Sequence, residues 1–181
     1  MTTANKLTIL RVLLIPVFIW LLYADFAWSA YLAAAVFIIA SVTDAVDGYI
    51  ARNYNQITTF GKFMDPLADK LLVAAALICF VELGYVSAVA AIVVISREFI
   101  VTGIRILAVN ENKVIAASGW GKVKTVAQIA VIIAVLVDRN REIFVFYGVD
   151  AVNWAVWVMV IFTVISGVHY IWGNRKLIHL S

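Results

Sequence analysis

Charge is scarce in this sequence. Only 14% of its 181 residues are Asp, Glu, Lys or Arg, while 65% are hydrophobic, and the mean hydropathy is +1.01. Ordinary soluble domains run nearer half apolar, so a chain of this length has too little polar surface to cover itself in water. An integral membrane protein is expected. Cysteine is nearly absent too: Cys79 stands alone in an apolar run, which excludes an intrachain disulfide and reads as a buried, inert thiol. Of the two histidines, His169 reads as a span-end polar group and His179 as a solvated tail residue. Neither fits a ligand spacing, which argues against zinc. Low-complexity tracts, long linkers and clear internal repeats are missing, so one domain over residues 1–181 is expected. No small-residue cleavage site follows the first apolar stretch, which therefore reads as a first span and not a removed signal peptide.

Long apolar runs are abundant. Six emerge, at 7–23, 30–51, 60–82, 86–108, 122–138 and 149–172, each long enough to cross a core of about 30 Å at about 1.5 Å per residue. Barrel strands would alternate over about ten residues, whereas these runs do not, so the expected fold is all-α with six transmembrane helices. Cation placement orients them. With the N-terminus in the cytoplasm, Lys6, Arg11, Arg52, Lys62, Lys70, Arg97, Arg105, Lys113, Lys122, Lys124, Arg175 and Lys176 fall on the inner side. Only Arg139 and Arg141 fall outside, so both termini are expected to be cytoplasmic. Trp20, Trp28, Tyr31, Tyr85, Tyr147, Trp154 and Trp172 stand near run ends, where amphipathic rings favour the headgroup layer.

Against this apolar background the stretch DAVDGYIARNYNQITTFGKFMDPLAD places four aspartates. A carboxylate at bilayer depth costs roughly 2.5–3.5 kcal/mol on insertion scales, so four of them need a shared reason. Asp44 and Asp47, with Gly48 and Ala51, share one face of the second segment, while Gly61, Asp65 and Asp69 recur at steps of four on the third. The short connection makes the two segments antiparallel neighbours, with Asp47 and Asp65 at similar depth toward the cytoplasm. Four carboxylates cannot all ionise together without counter-charge. Oxygen ligands suit hard cations, Mg²⁺ or Mn²⁺, and two such ions would form a clamp for phosphoryl transfer. Gly48 and Gly61 allow close approach of a helix or a ligand. Pro66 is expected to kink or loosen the third segment at Asp65.

The pattern D-x2-D-G-x2-A-R-x8-G-x3-D-x3-D is the signature of the CDP-alcohol phosphotransferases. The sequence resembles that family at every position: Asp44, Asp47, Gly48, Ala51, Arg52, Gly61, Asp65 and Asp69. The resemblance covers essentially the whole chain, and it implies six transmembrane helices, a cytoplasmic-side site and a homodimer. It also implies that Asp44, Asp47 and Asp65 ligate two divalent cations. Asp69 would complete the site as general base, with a metal-ligand role open beside it. Gly48, Ala51, Arg52 and Gly61, together with Asp44 and Asp65, would line the cytidine diphosphate pocket, Arg52 near phosphate. The segments NKLTILRVLLIP, GKFMDPLADKLL, SREFIVTGIR and GKVKTVAQ resemble the branch that joins CDP-diacylglycerol to sn-glycerol 3-phosphate, giving phosphatidylglycerol phosphate and CMP.

An acceptor that carries a phosphate wants cations. Arg97 and Arg105 stand eight residues apart in the fourth segment, about 12 Å along a helix, and are the favoured acceptor-phosphate residues. An internal ion pair with an aspartate or with Glu98 is the competing account of Arg97. Lys122 and Lys124 open the fifth segment, where phosphate binding and positive-inside anchoring weigh equally. Lys62 and Lys70 flank the aspartates and either touch a substrate or snorkel. Asn5, Thr8 and Arg11 read as an interface cap, ahead of a nucleotide contact. Membrane lipids are the expected surroundings, nucleic acid is not an expected partner, and a bacterial plasma membrane is the expected location. A sibling enzyme using inositol phosphate or serine would keep the same signature. A divalent-ion transporter is a more distant alternative, because the carboxylates cluster to one side and no polar path continues from them.

Overall fold

Apolar residues at helical spacing build six helices in this structure, a computed structural model that describes residues 3–53, 59–110, 119–138, 145–146 and 149–175. At some of these positions, among them 3–6, 44–53, 59–66, 69, 120 and 122, the description covers the backbone alone. The helices are α1 (Thr3–Tyr23), α2 (Ser29–Asn53), α3 (Thr59–Glu82), α4 (Ala88–Asn110), α5 (Gly119–Val137) and α6 (Ala151–Gly173). Each coincides with one of the six expected segments to within a few residues. A two-residue antiparallel pair, β1 (Val145–Phe146) with β2 (Val149–Asp150), precedes α6. The last apolar run begins at residue 149, but the helix starts at Ala151. Asp150 caps it, its carboxylate accepting from the Asn153 backbone N–H at 2.9 Å, and so satisfies one of the orphan donors of the first turn.

Two compact units divide the chain, Met1–Glu82 and Leu83–Ser181. In the first, α1 packs against both α2 and α3, and α2 also touches α3. Its core is apolar and tightly filled: Phe18, Leu22, Ala33, Phe37, Ala40, Ala76, Leu77 and Phe80 are all buried. The Phe18 and Phe37 rings lie 5.8 Å apart in a tilted arrangement that joins α1 to α2, a favourable aromatic geometry. Ala33 and Ala76 belong to small-residue patches suited to packing within or between protomers, and both are buried within this unit. Cys79 is buried and unbridged. α3 is a single helix through Pro66; the kink expected there falls at a position outside the described side chains.

In the second unit α6 is the shared partner of α4 and α5. Val101 and Ile104 of α4 pack with Tyr170 of α6, and Thr163 returns its hydroxyl hydrogen to the Met159 carbonyl at 2.7 Å, so this hydroxyl is satisfied within its own helix. Entry to α4 is set by Gly84, at φ +73°, and by Ser87, whose hydroxyl oxygen accepts from the Ala90 N–H at 3.2 Å. At the far end of α6 the Arg175 guanidinium lies over the Trp172 ring, 5.1 Å from its centroid.

Among the described residues one helix, α6, is long and apolar enough to cross a membrane on length and composition alone. Leu7–Tyr23, Ser29–Thr43 and Val123–Val137 are shorter apolar stretches. Large apolar side chains are exposed along every helix, for example Leu13, Ile39, Ile78, Ile92, Val126 and Ile161. Surfaces of that kind mark contact with lipid or with another protein.

Candidate active site

The signature residues divide between two neighbouring helices of the first unit. Asp44, Asp47, Gly48, Ala51 and Arg52 stand on α2, and Gly61, Asp65 and Asp69 stand on α3. Both segments are helical throughout, so Asp44 and Asp47 are one turn apart on α2, and Asp65 and Asp69 one turn apart on α3. The side chains of all eight residues lie outside the described ones. The donor set that these backbones bring to adjacent helices is four carboxylates, a chemistry that fits hard divalent cations bound through oxygen. Among the described residues, which do not include the side chains of these aspartates, no group of three or more His, Cys, Asp or Glu assembles.

Near this level α1 carries two polar residues that the sequence reading treated as an interface cap. Thr8 and Arg11 are instead fully buried, each at 0% exposure, one turn apart on the face that also buries Phe18 and Leu22. Register locates them. Phe18 meets Phe37; seven residues back along α1 is Arg11, and seven residues on along antiparallel α2 is Asp44. Tyr23 meets Glu82; twelve residues back along each of these parallel helices are Arg11 and Lys70, the latter next to Asp69. A buried guanidinium therefore stands level with both halves of the aspartate set. Arg11 does not stand alone there, as a buried charge requires.

The second unit carries the cations expected to serve the acceptor, and two of them, Arg97 and Lys124, meet at Glu98. Arg97 of α4 directs one terminal nitrogen to the Ser166 hydroxyl at 2.7 Å and the other to Glu98 Oε1 at 3.2 Å. Lys124 of α5, 3% exposed, forms an ion pair with the same Glu98 oxygen. The arginine and glutamate side chains keep 13% and 17% exposure. Gln128, one turn beyond Lys124, is 3% exposed. Three donors in this unit are buried without a hydrogen-bond partner among the described residues: Arg97 Nε, Gln128 Nε2 and Tyr170 Oη. Arg105 is exposed, and the side chain of Lys122 lies outside the described ones. Of the two accounts of Arg97, the structure shows the contact with Glu98, while its Nε has no partner among the described residues. Ser166, Gly167 and Gln128 were not foreseen. Their only sequence signal is a polar or small residue inside an apolar run, which packing alone accounts for equally well.

A helical protein with two aspartate pairs on adjacent helices, set in the eight-position pattern, is defined by its match to a family. Residues 1–165 match the family model of CDP-alcohol phosphatidyltransferase, and the chain belongs to that family. Among curated proteins, the CDP-diacylglycerol–glycerol-3-phosphate 3-phosphatidyltransferase of Bacillus subtilis is 45% identical, over 98% of this chain and 97% of the relative. The proteins of the same name from Rickettsia felis and Haemophilus influenzae are 35% identical over 95% and 94%, and 45% identical over 67% and 68%, of this chain and of the relative respectively.

Proposed function

We propose that the protein transfers the phosphatidyl group of CDP-diacylglycerol to sn-glycerol 3-phosphate, giving phosphatidylglycerophosphate and CMP. The observation that carries this reading is near-full-length similarity to a relative of that name, in a chain whose α2 and α3 fill every position of the family signature.

In this reading the primary hydroxyl of glycerol 3-phosphate attacks the phosphorus that bears diacylglycerol. The new P–O bond forms as the bond to the CMP oxygen breaks, and Asp69 takes the hydroxyl proton, as a general base within reach of the nucleophile must. Asp44, Asp47 and Asp65, with Asp69 completing the set, would hold two divalent cations, Mg²⁺ or Mn²⁺, which when bound neutralise the diphosphate and favour departure of CMP. Gly48, Ala51 and Gly61 leave room for the cytidine diphosphate, and Arg52 meets its phosphate. Arg97 and Arg105, with Lys122 and Lys124, supply positive charge for the acceptor phosphate. Lys124 does so at one remove, because its ammonium is committed to Glu98. Catalysis is then chiefly positioning and electrostatics.

The lipid substrate sets the surroundings. Six membrane spans with cytoplasmic termini, forming one catalytic domain in a bacterial plasma membrane, keep the acyl chains in the leaflet while the headgroup reaches the aspartates. The apolar exposure along each helix supports this arrangement. A homodimer is the expected assembly.

CMP release from CDP-diacylglycerol by the purified protein in micelles tests the reading, with Mg²⁺ or a chelator, and with glycerol 3-phosphate, inositol phosphate or serine supplied in turn. Metal-dependent release with glycerol 3-phosphate alone is expected. Release with another alcohol would keep the family and overturn the acceptor. No release from folded protein would bring forward ion transport.

A further inference from the structure

The Arg97 guanidinium is held unequally at its two ends. Its tie to the Ser166 hydroxyl is 2.7 Å and its tie to Glu98 is 3.2 Å, and the Glu98 oxygen it reaches is also taken by Lys124. The shorter contact on Arg97 is therefore to a neutral hydroxyl, and the one carboxylate it meets is shared between two cations. A hydroxyl partner fixes the direction of a guanidinium without cancelling its charge, whereas a carboxylate does both. Gly167, the next residue on α6, completes the hold: a Cβ there would lie 3.1 Å from Arg97 Cγ, tighter than ordinary contact. The arginine stem runs over the space that glycine leaves open.

Three of the unfilled buried atoms in this unit can donate. Arg97 Nε, Gln128 Nε2 and Tyr170 Oη are buried without a hydrogen-bond partner among the described residues. Buried donors of this kind are costly unless something accepts from them, and a phosphate presents several acceptor oxygens. An arginine held mainly for structural pairing would spend its donors within the protein.

We infer that Ser166 and Gly167 are positioning residues, which seat Arg97 on α6 so that its charge remains available to the phosphate of the acceptor. The inference rests on the proposed reading of Arg97 as an acceptor-phosphate residue. Ser166 and Gly167 act through Arg97 and do not themselves touch the substrate. They set affinity for the phosphorylated acceptor without changing affinity for CDP-diacylglycerol.

The test is steady-state kinetics on full-length protein in micelles, varying each substrate in turn, with thermal unfolding of every variant as a folding control. Ser166→Ala is expected to raise KM for glycerol 3-phosphate about tenfold, the effect of weakening one hydrogen bond to a charged group, with KM for CDP-diacylglycerol unchanged. Ser166→Thr, which keeps the hydroxyl, should restore most of the loss. Gly167→Ala should shift the same constant in the same direction. Should Ser166→Ala not fold, the nearly isosteric Ser166→Cys replaces it with the same expectation. Arg97→Gln separates the role of Arg97 from that of its seat. If Arg97→Gln leaves KM for glycerol 3-phosphate unchanged, the reading of Arg97 itself has failed. If Arg97→Gln raises that KM while folded Ser166→Ala does not, the seat is overturned and the reading of Arg97 stands. In the Arg97→Gln background, Ser166→Ala should add nothing; an additive further loss would also overturn the seat.

Discussion

Tyr23, the last residue of α1, donates its phenolic hydrogen to the carboxylate of Glu82, the last residue of α3. The bond closes the first unit at the end away from the aspartates and sets the axial register of two parallel helices. Tyr23→Phe should lower stability by no more than about 1 kcal/mol, since the pair is exposed and one neutral donor is lost. A small drop in unfolding temperature in detergent, with CMP release intact, is the expected result. Loss of activity at unchanged stability would mean that helix register matters more to the chemistry than the bond strength suggests.

The aspartates carry the opposite prediction. Asp47→Asn and Asp65→Asn each keep size and polarity but remove a negative charge from the donor set. Turnover should fall to background while the protein stays folded in detergent. Retained activity in either variant would remove the two-cation account.

Arg11 separates stability from catalysis less cleanly. At 0% exposure and level with Asp44, it is a buried charge, and deleting one member of a buried ionic arrangement costs about 3–5 kcal/mol. Arg11→Met should therefore lower the unfolding temperature far more than Tyr23→Phe does. Equal effects from the two variants would return Arg11 to the role of an interface residue.

Gly84 makes a local prediction. Its φ of +73° is one that L side chains adopt reluctantly, although a Cβ there would meet nothing within 4 Å. Gly84→Ala should cost about 1 kcal/mol through backbone conformation alone, and Gly84→Asn less, because Asn tolerates the left-handed region. Equal stability of the alanine variant and the parent protein would mean that the turn has another conformation open to it.

The six helices were legible in the sequence because each apolar run is bounded by polar turn residues, as at ADFAWS and ELGYVS. The pair of strands before α6 was not: FVFYGVD offers too few residues to separate a short hairpin from the start of a helix. The aspartates were legible because ionisable residues in apolar runs are expensive enough to need a cause. Arg11 was misread, since a cation near the beginning of an apolar run is usually an interface residue, and only packing reveals that its helix face turns inward. Ser166 and Gly167 were invisible for the same reason. One hydroxyl and one missing side chain in a lipid-length helix acquire meaning only when the arginine of another helix is found against them.

The pairing of Trp172 with Arg175 adds a matter of depth. In the proposed membrane setting an exposed tryptophan carrying a guanidinium on its ring would settle where water gives way to lipid headgroups and so would mark a waterline on α6. Ser166 lies six residues earlier on the same helix, about 9 Å below that line at the helical rise. In the proposed membrane setting a small, soluble, doubly charged acceptor would then need to descend little further than the headgroup layer, about 5–7 Å thick on each side, to meet the arginine held at Ser166.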